Sequence, residues 1–430
     1  MLLIRNGFVI DPKSQTAEKL DVLIHNGRIL KIGKRLWERM KRKPEKTIHA
    51  DGLIVAPGLV DVHVHFRDPG LTYKEDIESG ASAAAAGGFT SVVMMANTKP
   101  PVDSNETLQY VLEQGKKCGI HVYSCACVTK EMKGLELTDL ESLSEHGAAG
   151  FTDDGVPVMD EALLKSCFEI ASKLGKPVSL HEENPEWIKE NGINAGDAAK
   201  KMGLFGSQRE AEISMVARDI KIAAETSVKL NLQHISTKEA VELIREAKKS
   251  NSNLHAEAAP HHFSLTEEAV TAFGTLAKMN PPLRTEEDRK AVIEGIKDGT
   301  IDIIATDHAP HSKEEKDRSF ADAPSGITGL ETALPLGLTK LVQEEQMPLI
   351  DLLARMTCSP AELYDLNAGY LAEGGPADLV IFSEKEAFEL KASYSKSKNS
   401  PFFGVPMHGQ VCYTICAGEI VFDSRRMKRS

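Results

Sequence analysis

The sequence predicts an α/β architecture: a (β/α)8 TIM-type barrel with a small β-sandwich domain assembled from both termini. Three observations carry this. Short apolar runs alternate with amphipathic helical segments through the middle of the chain. Strand-and-turn grammar is confined to the two ends. The 430 residues are too many for one simple core and enough for a large barrel beside a smaller domain. A doubly wound open sheet is the alternative for the middle, disfavoured because no Gly-x-Gly-x-x-Gly follows an early strand. The expected division is 1–55 for the first part of the sandwich, 56–364 for the barrel, and 365–430 for the rest of the sandwich with a basic tail.

Taken in order, residues 1–55 read as short strands with tight turns. Phe8-Val9-Ile10 follows Asn6-Gly7, and Asn26-Gly27 separates Val22-Leu23-Ile24 from Ile29-Leu30-Lys31-Ile32. Asn-Gly between apolar runs signals a hairpin. The barrel strands are expected at Leu59–His65, Ser91–Met95, His121–Val128, Gly147–Thr152, Pro177–His181, Lys229–His234, Asn253–Ala258 and Ile301–Thr306. Segments rich in Ala, Glu and Lys lie between them, among them Glu161–Leu174, Glu210–Thr226 and Lys238–Lys249. Eight such units over roughly 250 residues match a barrel's size. The strand grammar returns at Asp378–Phe382, Val411–Ile415 and Glu419–Phe422, the last two joined across Ala417-Gly418.

Hydrophobic residues make up 41% and charged residues 27%, the balance of an ordinary soluble globular protein. A net charge of −12 argues against nucleic acid or an anionic membrane as partner. Basic runs at Lys41-Arg42-Lys43 and Arg425-Arg426-Met427-Lys428-Arg429 read as solvated surface. Seven scattered cysteines, without a CxxC pair or signal peptide, fit a reducing cytoplasm, and Cys125 and Cys127 read as packing residues. No apolar run approaches the ~20 residues of a membrane span.

The chemistry collects where strands end. His63 and His65 sit two apart, so a strand places both imidazoles on one face, with valines between them. The fourth strand runs into Asp153-Asp154-Gly155, the fifth ends at His181-Glu182-Glu183, the sixth at His234, and the eighth at Asp307-His308-Ala309-Pro310-His311. Catalytic residues of barrels sit at the C-terminal ends of strands. Four imidazoles and two carboxylates delivered to one rim suffice for two divalent ions sharing a carboxylate, and these donor types suit zinc. Singly, each residue has a plainer reading as a loop histidine or a helix cap; their coincidence does not.

Asp61–Gly70, Asn97-Thr98-Lys99-Pro100-Pro101 and Ala305–His311 resemble the cyclic amidohydrolases, and within them the dihydroorotases of the long bacterial type. The similarity covers nearly the whole chain, including Ser400-Pro401-Phe402 and Gly418-Glu419-Ile420. His-x-His together with Asp-His-Ala-Pro-His, in this order and spacing, is what makes it specific. The resemblance implies a zinc-dependent enzyme with one or two ions per chain, two favoured. It implies His63 and His65 on the first ion, His181 and His234 on the second, and Asp154, rather than Asp153, as the bridge. Asp307 would bind the first ion and act as the general base. Hydantoinases and allantoinases bridge their metals with a carboxylated lysine after a Gly-Phe-like pair, whereas this chain has Gly150-Phe151-Thr152 and no lysine.

The implied reaction is the reversible cyclisation of N-carbamoyl-L-aspartate to L-dihydroorotate, with loss of water, in pyrimidine biosynthesis. Arg67 would grip the substrate carboxylate through two parallel bonds. Asn97, His311 and His65 would assist, and Asn280 with the backbone at Ser325 and Gly326 would read the ring amide. The family often carries an aromatic residue where this chain has Ser325. His255, His261 and His262 are expected to support the site around Glu257. Glu182 and Glu183 would lie above it without binding metal, and His121 and His146 have no evident partner. Residues 312–318 read as an exposed polar loop that could serve as a lid. Another cyclic amidase, and a non-catalytic scaffold for aspartate transcarbamoylase, are the competing readings. The missing lysine and the complete ligand set argue against them. A homodimer and association with an aspartate transcarbamoylase are both compatible with the sequence.

Overall fold

The computed structural model describes residues 1–40 and 42–427. Of the two basic runs, Arg42, Lys43 and Arg425 are exposed; Lys41, residues 428–429 and the side chains at 426 and 427 lie outside what is described.

The N-terminal segment supplies β1 (Leu2–Asp11), β2 (Thr16–His25), β3 (Arg28–Gly33), β4 (Lys46–His49) and β5 (Ile54–Pro57). The barrel contributes β6 (Leu59–Val64), β7 (Phe89–Met94), β8 (His121–Ser124), β9 (Val178–Leu180), β10 (Leu230–Leu232), β11 (Leu254–Ala258) and β12 (Ile303–Ile304). The chain then returns through β13 (Leu379–Glu389), β14 (Pro406–Cys416) and β15 (Glu419–Asp423). One eight-stranded sheet runs β15-β14-β13-β5-β1-β2-β3, with β4 beside β1. Its seam is β13 lying antiparallel on β5, Leu379 opposite Pro57, so both termini build one sheet. Ile4, Val22, Ile24 and Ile29 from one end pack with Leu379, Ile381 and Ile415 from the other.

Asn26-Gly27 forms the expected two-residue hairpin, both residues in the left-handed region at φ 49 and 73. Asn6-Gly7 does not turn the chain. The register shifts between Ile4 and Gly7 within a continuous β1, which makes the pair a β-bulge. Asn6 takes φ 60, and a Cβ on Gly7 would meet Val55 Cγ2 at 2.4 Å, so the same residue types serve a bulge under a close packing contact.

The barrel's parallel ladders are β6-β7-β8 and β9-β10-β11-β12. Single-residue parallel bridges close the ring: Ala126 to Phe151, Phe151 to Val178, and Val64 to His308. The expected fourth strand thus shrinks to Phe151, although Ala126, Thr152 and Ser179 continue the backbone bonding on both sides. Val60, Val62, Val93, Cys125, Ile303 and Ala305 fill the lower barrel, plugged by Ala361, Leu363 and Tyr364 of the helix Cys358–Leu363 and the residue after it. Leu59 and Val64 belong to the outer layer between strands and helices. Val62 and Val64 therefore do not share a face: a register irregularity between Asp61 and Val64 breaks the simple alternation just before the site. Two of the expected helices start on side-chain caps, Asp160 for Glu161–Leu174 and Thr237 for Lys238–Lys248.

Candidate metal centre and substrate pocket

The rim residues singled out in the sequence stand at or just beyond the ends of barrel strands: His63 lies near the end of β6, while His65, Arg67, Asn97, Asp154, His181, His234 and Asp307 follow strand ends by a few positions. Three of them, Arg67, His234 and Asp307, have left-handed backbones at φ 61, 34 and 48, a conformation that costs an L-residue about 1–3 kcal/mol and clusters at functional sites. The bend aims each side chain back over the barrel mouth. The result is two buried donor groups that share one carboxylate: His63, His65 and Asp154; and Asp154, His181 and His234.

The hydrogen bonds around these imidazoles fix which nitrogen faces inward. His63 Nδ1 lies 3.0 Å from Glu257 Oε2, His65 Nδ1 2.9 Å from the Asn97 amide oxygen, and His181 Nε2 3.0 Å from Glu183 Oε2. Each outer partner is an acceptor, so each ring donates its N–H outward and turns a lone pair inward. Those inward nitrogens face two carboxylates and a fourth imidazole. His63 Nε2 is 3.4 Å from Asp154 Oδ1, His65 Nε2 is 3.0 Å from Asp307 Oδ1 and 3.5 Å from Asp154 Oδ2, and His181 Nδ1 is 3.0 Å from His234 Nε2. His63 Nε2 and Asp154 Oδ1 are buried without a hydrogen-bond partner. Acceptors packed against acceptors in a buried site need cations between them. The surrounding carboxylates favour positive charge here: burial opposes charge on His181, but Asp154 and Glu183 overcome it and raise the imidazole to about 10. Burial likewise disfavours an ionised Asp307, yet the facing imidazoles of His65, His63 and His234 hold its carboxyl well below the usual range. The donor set fits divalent metal ions, with Asp154 common to both groups.

Asp153 turns the other way. Its carboxylate accepts from the Val128 and Thr129 amides and the Thr129 hydroxyl, which locks the strand-four loop. Glu183 is an orienting partner of His181 instead of a bystander, and Glu182 points away toward Asp219 and Arg218. Glu257 plays the same orienting part for His63, but of the histidines expected around it only His261 stays buried beside Asp307, His234 and His63, and the other two turn elsewhere. His255 binds Asp302 at 2.7 Å, and His262 reaches the Pro281 carbonyl. His308 is a latch, between Glu75 and the Gly329 amide. His121 pairs with Asp378, and His146 with the Ser142 carbonyl.

Beside the ligands lies a cleft of about 170 Å³ lined by His65, Arg67, Asn97, Asp154, His181, His234, Asn280, Asp307, His311, Ser325 and Gly326, together with Gly155 and Ala309. The substrate-binding residues named from sequence are thus gathered in one pocket. Arg67 is half-buried, its Nε donating to the Pro310 carbonyl at 3.3 Å. The Lys74 ammonium, 3.3 Å from His311 Nδ1, can only donate, so His311 Nε2–H donates to the Ser325 carbonyl at 2.8 Å. Burial first, then the cations of Arg67 and Lys74, hold His311 far below its usual value and therefore neutral. Asn280 Oδ1 is buried without a partner in the same cleft.

Residues 312–318 are not an open loop. Ser312 caps a short helix, Lys313–Lys316, with a reciprocal capping box to Glu315, and Lys316 is 3% exposed. Its ammonium donates to the Pro324 and Gly326 carbonyls at 2.9 and 3.1 Å, while Lys278 holds the Phe320 and Ala323 carbonyls. Asn399 adds a bond to Gly326 O at 3.0 Å. Gly326 sits at φ 127, where a Cβ would meet Ala309 Cβ at 2.6 Å. Lys74, Lys278, Lys316 and Asn399 escape sequence reading because they act through backbone carbonyls or a second side chain. Glu183 was legible: it stands two residues beyond His181, on the same face of an extended segment.

The sequence model of the amidohydrolase family matches residues 54–421. A dihydroorotase of Clostridioides difficile (strain 630) is 53% identical over 424 residues, covering 99% of this chain and 100% of that protein. One from Lactococcus lactis subsp. lactis (strain IL1403) is 49% identical over 425 residues, with 99% and 100% covered. Among solved structures, the L-hydantoinase (dihydropyrimidinase) from Arthrobacter aurescens superposes with a TM-score of 0.86 at 25% identity, over 98% of this chain and 96% of that one. By family model, identity and coverage together, the chain belongs to the amidohydrolase family and, within it, to the dihydroorotases.

Proposed function

We propose that this protein catalyses the reversible cyclisation of N-carbamoyl-L-aspartate to L-dihydroorotate. The inward-facing acceptors carry the reading: three imidazoles whose N–H groups are committed outward, grouped about Asp154. They support a pair of divalent ions of zinc type, held by His63, His65 and Asp307 on one side and by His181 and His234 on the other. A bound ion of this class acidifies water to a pKa of ~7 and polarises a carbonyl oxygen.

The remaining work belongs to the chain's own side chains. In the hydrolytic direction water adds to the ring amide carbonyl and the carbon–nitrogen bond breaks. Asp307, ionised and at the pocket wall, takes the proton of the attacking water and returns it to the departing nitrogen. In the biosynthetic direction the same carboxylate accepts the ureido proton and passes it to the departing oxygen, which leaves as water with a second proton taken from solvent. Arg67 meets the carboxylate that stays outside the ring, where two parallel N–H bonds fix its orientation. Neutral His311, oriented by Lys74 and Ser325, adds a polar contact without repelling Arg67. Asn280 and the backbone at Ser325 and Gly326 face the ring amide. Arg67 and Lys74 place local positive charge in a chain whose net charge is −12, which suits an anionic substrate. Asp154 in the bridging place fits the lack of a lysine after Gly150-Phe151, the feature that separates this site from a hydantoinase or allantoinase centre.

Asp307→Asn keeps a metal-binding oxygen but cannot shuttle the proton. Turnover of dihydroorotate should fall about 1,000-fold or more while metal content, measured on the purified variant, stays near that of the wild type. An active Asn variant would remove Asp307 from proton transfer.

A further inference from the structure

Away from the catalytic rim, three side chains that the reaction does not use converge where the barrel meets the terminal sheet. His121 opens β8 at the end of the barrel opposite the strand C-termini, Asp378 precedes β13, and Cys416 closes β14. Their donor atoms all lie within 4.8 Å of one another. The His121 Nε2 to Asp378 Oδ2 distance is 3.1 Å. Asp378 and Cys416 are each 3% exposed, while the His121 side chain is 39% exposed at the edge. The Ala417 amide donates to Asp378 Oδ1 at 2.7 Å, which fixes the carboxylate with Oδ2 toward the other two donors. A cavity of about 440 Å³ runs past His121, Tyr123, Cys118 and Cys416, giving a path from solvent and room for a further ligand.

We propose that His121, Asp378 and Cys416 form a separate divalent-cation site of zinc class that clips the barrel to the terminal sheet. One thiolate, one imidazole and one carboxylate are each zinc donors, and three protein ligands leave a fourth position for water on the cavity side. The sulfur selects against magnesium and calcium, which take oxygen donors. On binding, a metal–sulfur bond forms and the thiol proton leaves to solvent. The three ligands come from two structural units, so occupancy favours the assembled state by mass action. The site is independent of the reaction, because none of its residues lines the catalytic cleft.

Cadmium distinguishes this site from the rim, where no ligand is a thiol, because a cadmium–thiolate bond absorbs in the ultraviolet. The wild-type holoenzyme, Cys416→Ser, His121→Ala and Cys118→Ser are dialysed against Cd²⁺, and bound metal and absorption are measured. The wild type and the Cys118 variant should take up one equivalent more than Cys416→Ser, with an absorption that Cys416→Ser lacks. His121→Ala should bind roughly tenfold more weakly, and all variants should turn over dihydroorotate unchanged. Equal uptake and absorption in Cys416→Ser, or undiminished affinity in His121→Ala, would overturn the site. Should Cys416→Ser fail to fold, alkylation of the wild type decides: Cd²⁺ must slow modification of Cys416, and no slowing overturns the proposal.

Discussion

On the proposed reading, Arg67 concentrates the specificity of the pocket in one side chain. Its guanidinium is the fork that matches a carboxylate, and its backbone at φ 61 turns it over the cleft directly after the metal histidines. Arg67→Met should raise KM for dihydroorotate about 100-fold, the equivalent of roughly 3 kcal/mol for a charge-assisted pair, measured by steady-state kinetics. A KM within error of the wild type would move carboxylate recognition elsewhere. Glu257 acts one step further back, by accepting the Nδ1–H of His63. Glu257→Gln removes the charge that keeps this ring's lone pair inward and should weaken metal binding about 10- to 100-fold in a chelator competition. Residue types and spacing announced Arg67 and the ligands. The resemblance chose Asp154 over Asp153 as the bridge, and the Val128 and Thr129 amides engage Asp153 while Asp154 faces the imidazoles.

At the scale of elements, short apolar runs and the amphipathic stretches between them were enough to place most barrel strands and the helices Glu161–Leu174, Glu210–Thr226 and Lys238–Lys248, because the strands are buried on both faces and the helices on one. Where local chemistry is ambiguous, packing decides. Asn6-Gly7 and Asn26-Gly27 are the same dipeptide, yet one is a bulge and the other a hairpin, since Val55 presses on Gly7. Residues 312–318 read as exposed because Lys, Glu and Asp dominate them; Lys313, Glu314, Asp317 and Arg318 are exposed, but polarity alone does not reveal the buried Lys316 ammonium satisfied by carbonyls. The segment 320–326 is instead held by Lys278 and Lys316 against the cleft. Burial first, then the neighbouring Lys278 cation, brings the Lys316 ammonium down to about 7 from 10.5. Between those values the unfolded chain binds more protons than the folded one, so this residue's cost to stability is full below about pH 7 and fades as pH rises toward 10.5. In urea unfolding, the wild type should gain roughly 2 kcal/mol on Lys316→Met between about pH 7 and about pH 9. Lys316→Met should also raise KM about tenfold by releasing the Pro324 and Gly326 carbonyls. A pH-independent stability difference would contradict a charged, buried Lys316.

For the molecule as a whole, the barrel supplies a rigid ring whose strand ends deliver the ligands, and the terminal sheet closes the far side through the β5–β13 seam. That both ends of the chain form one sheet was legible from hairpin grammar recurring only there. The barrel's closure through three single-residue bridges was not, because a strand one residue long leaves no periodic signal. Function at this scale rests on a buried group of acceptors that only cations reconcile. The direct measurement is a metal titration: the protein is stripped with a chelator, checked for retained fold by circular dichroism, and given Zn²⁺ stepwise while dihydroorotate turnover is followed. The account predicts no turnover in the stripped protein and recovery that saturates as the rim fills, with His63→Ala failing to recover. Full turnover in folded, metal-free protein would contradict it.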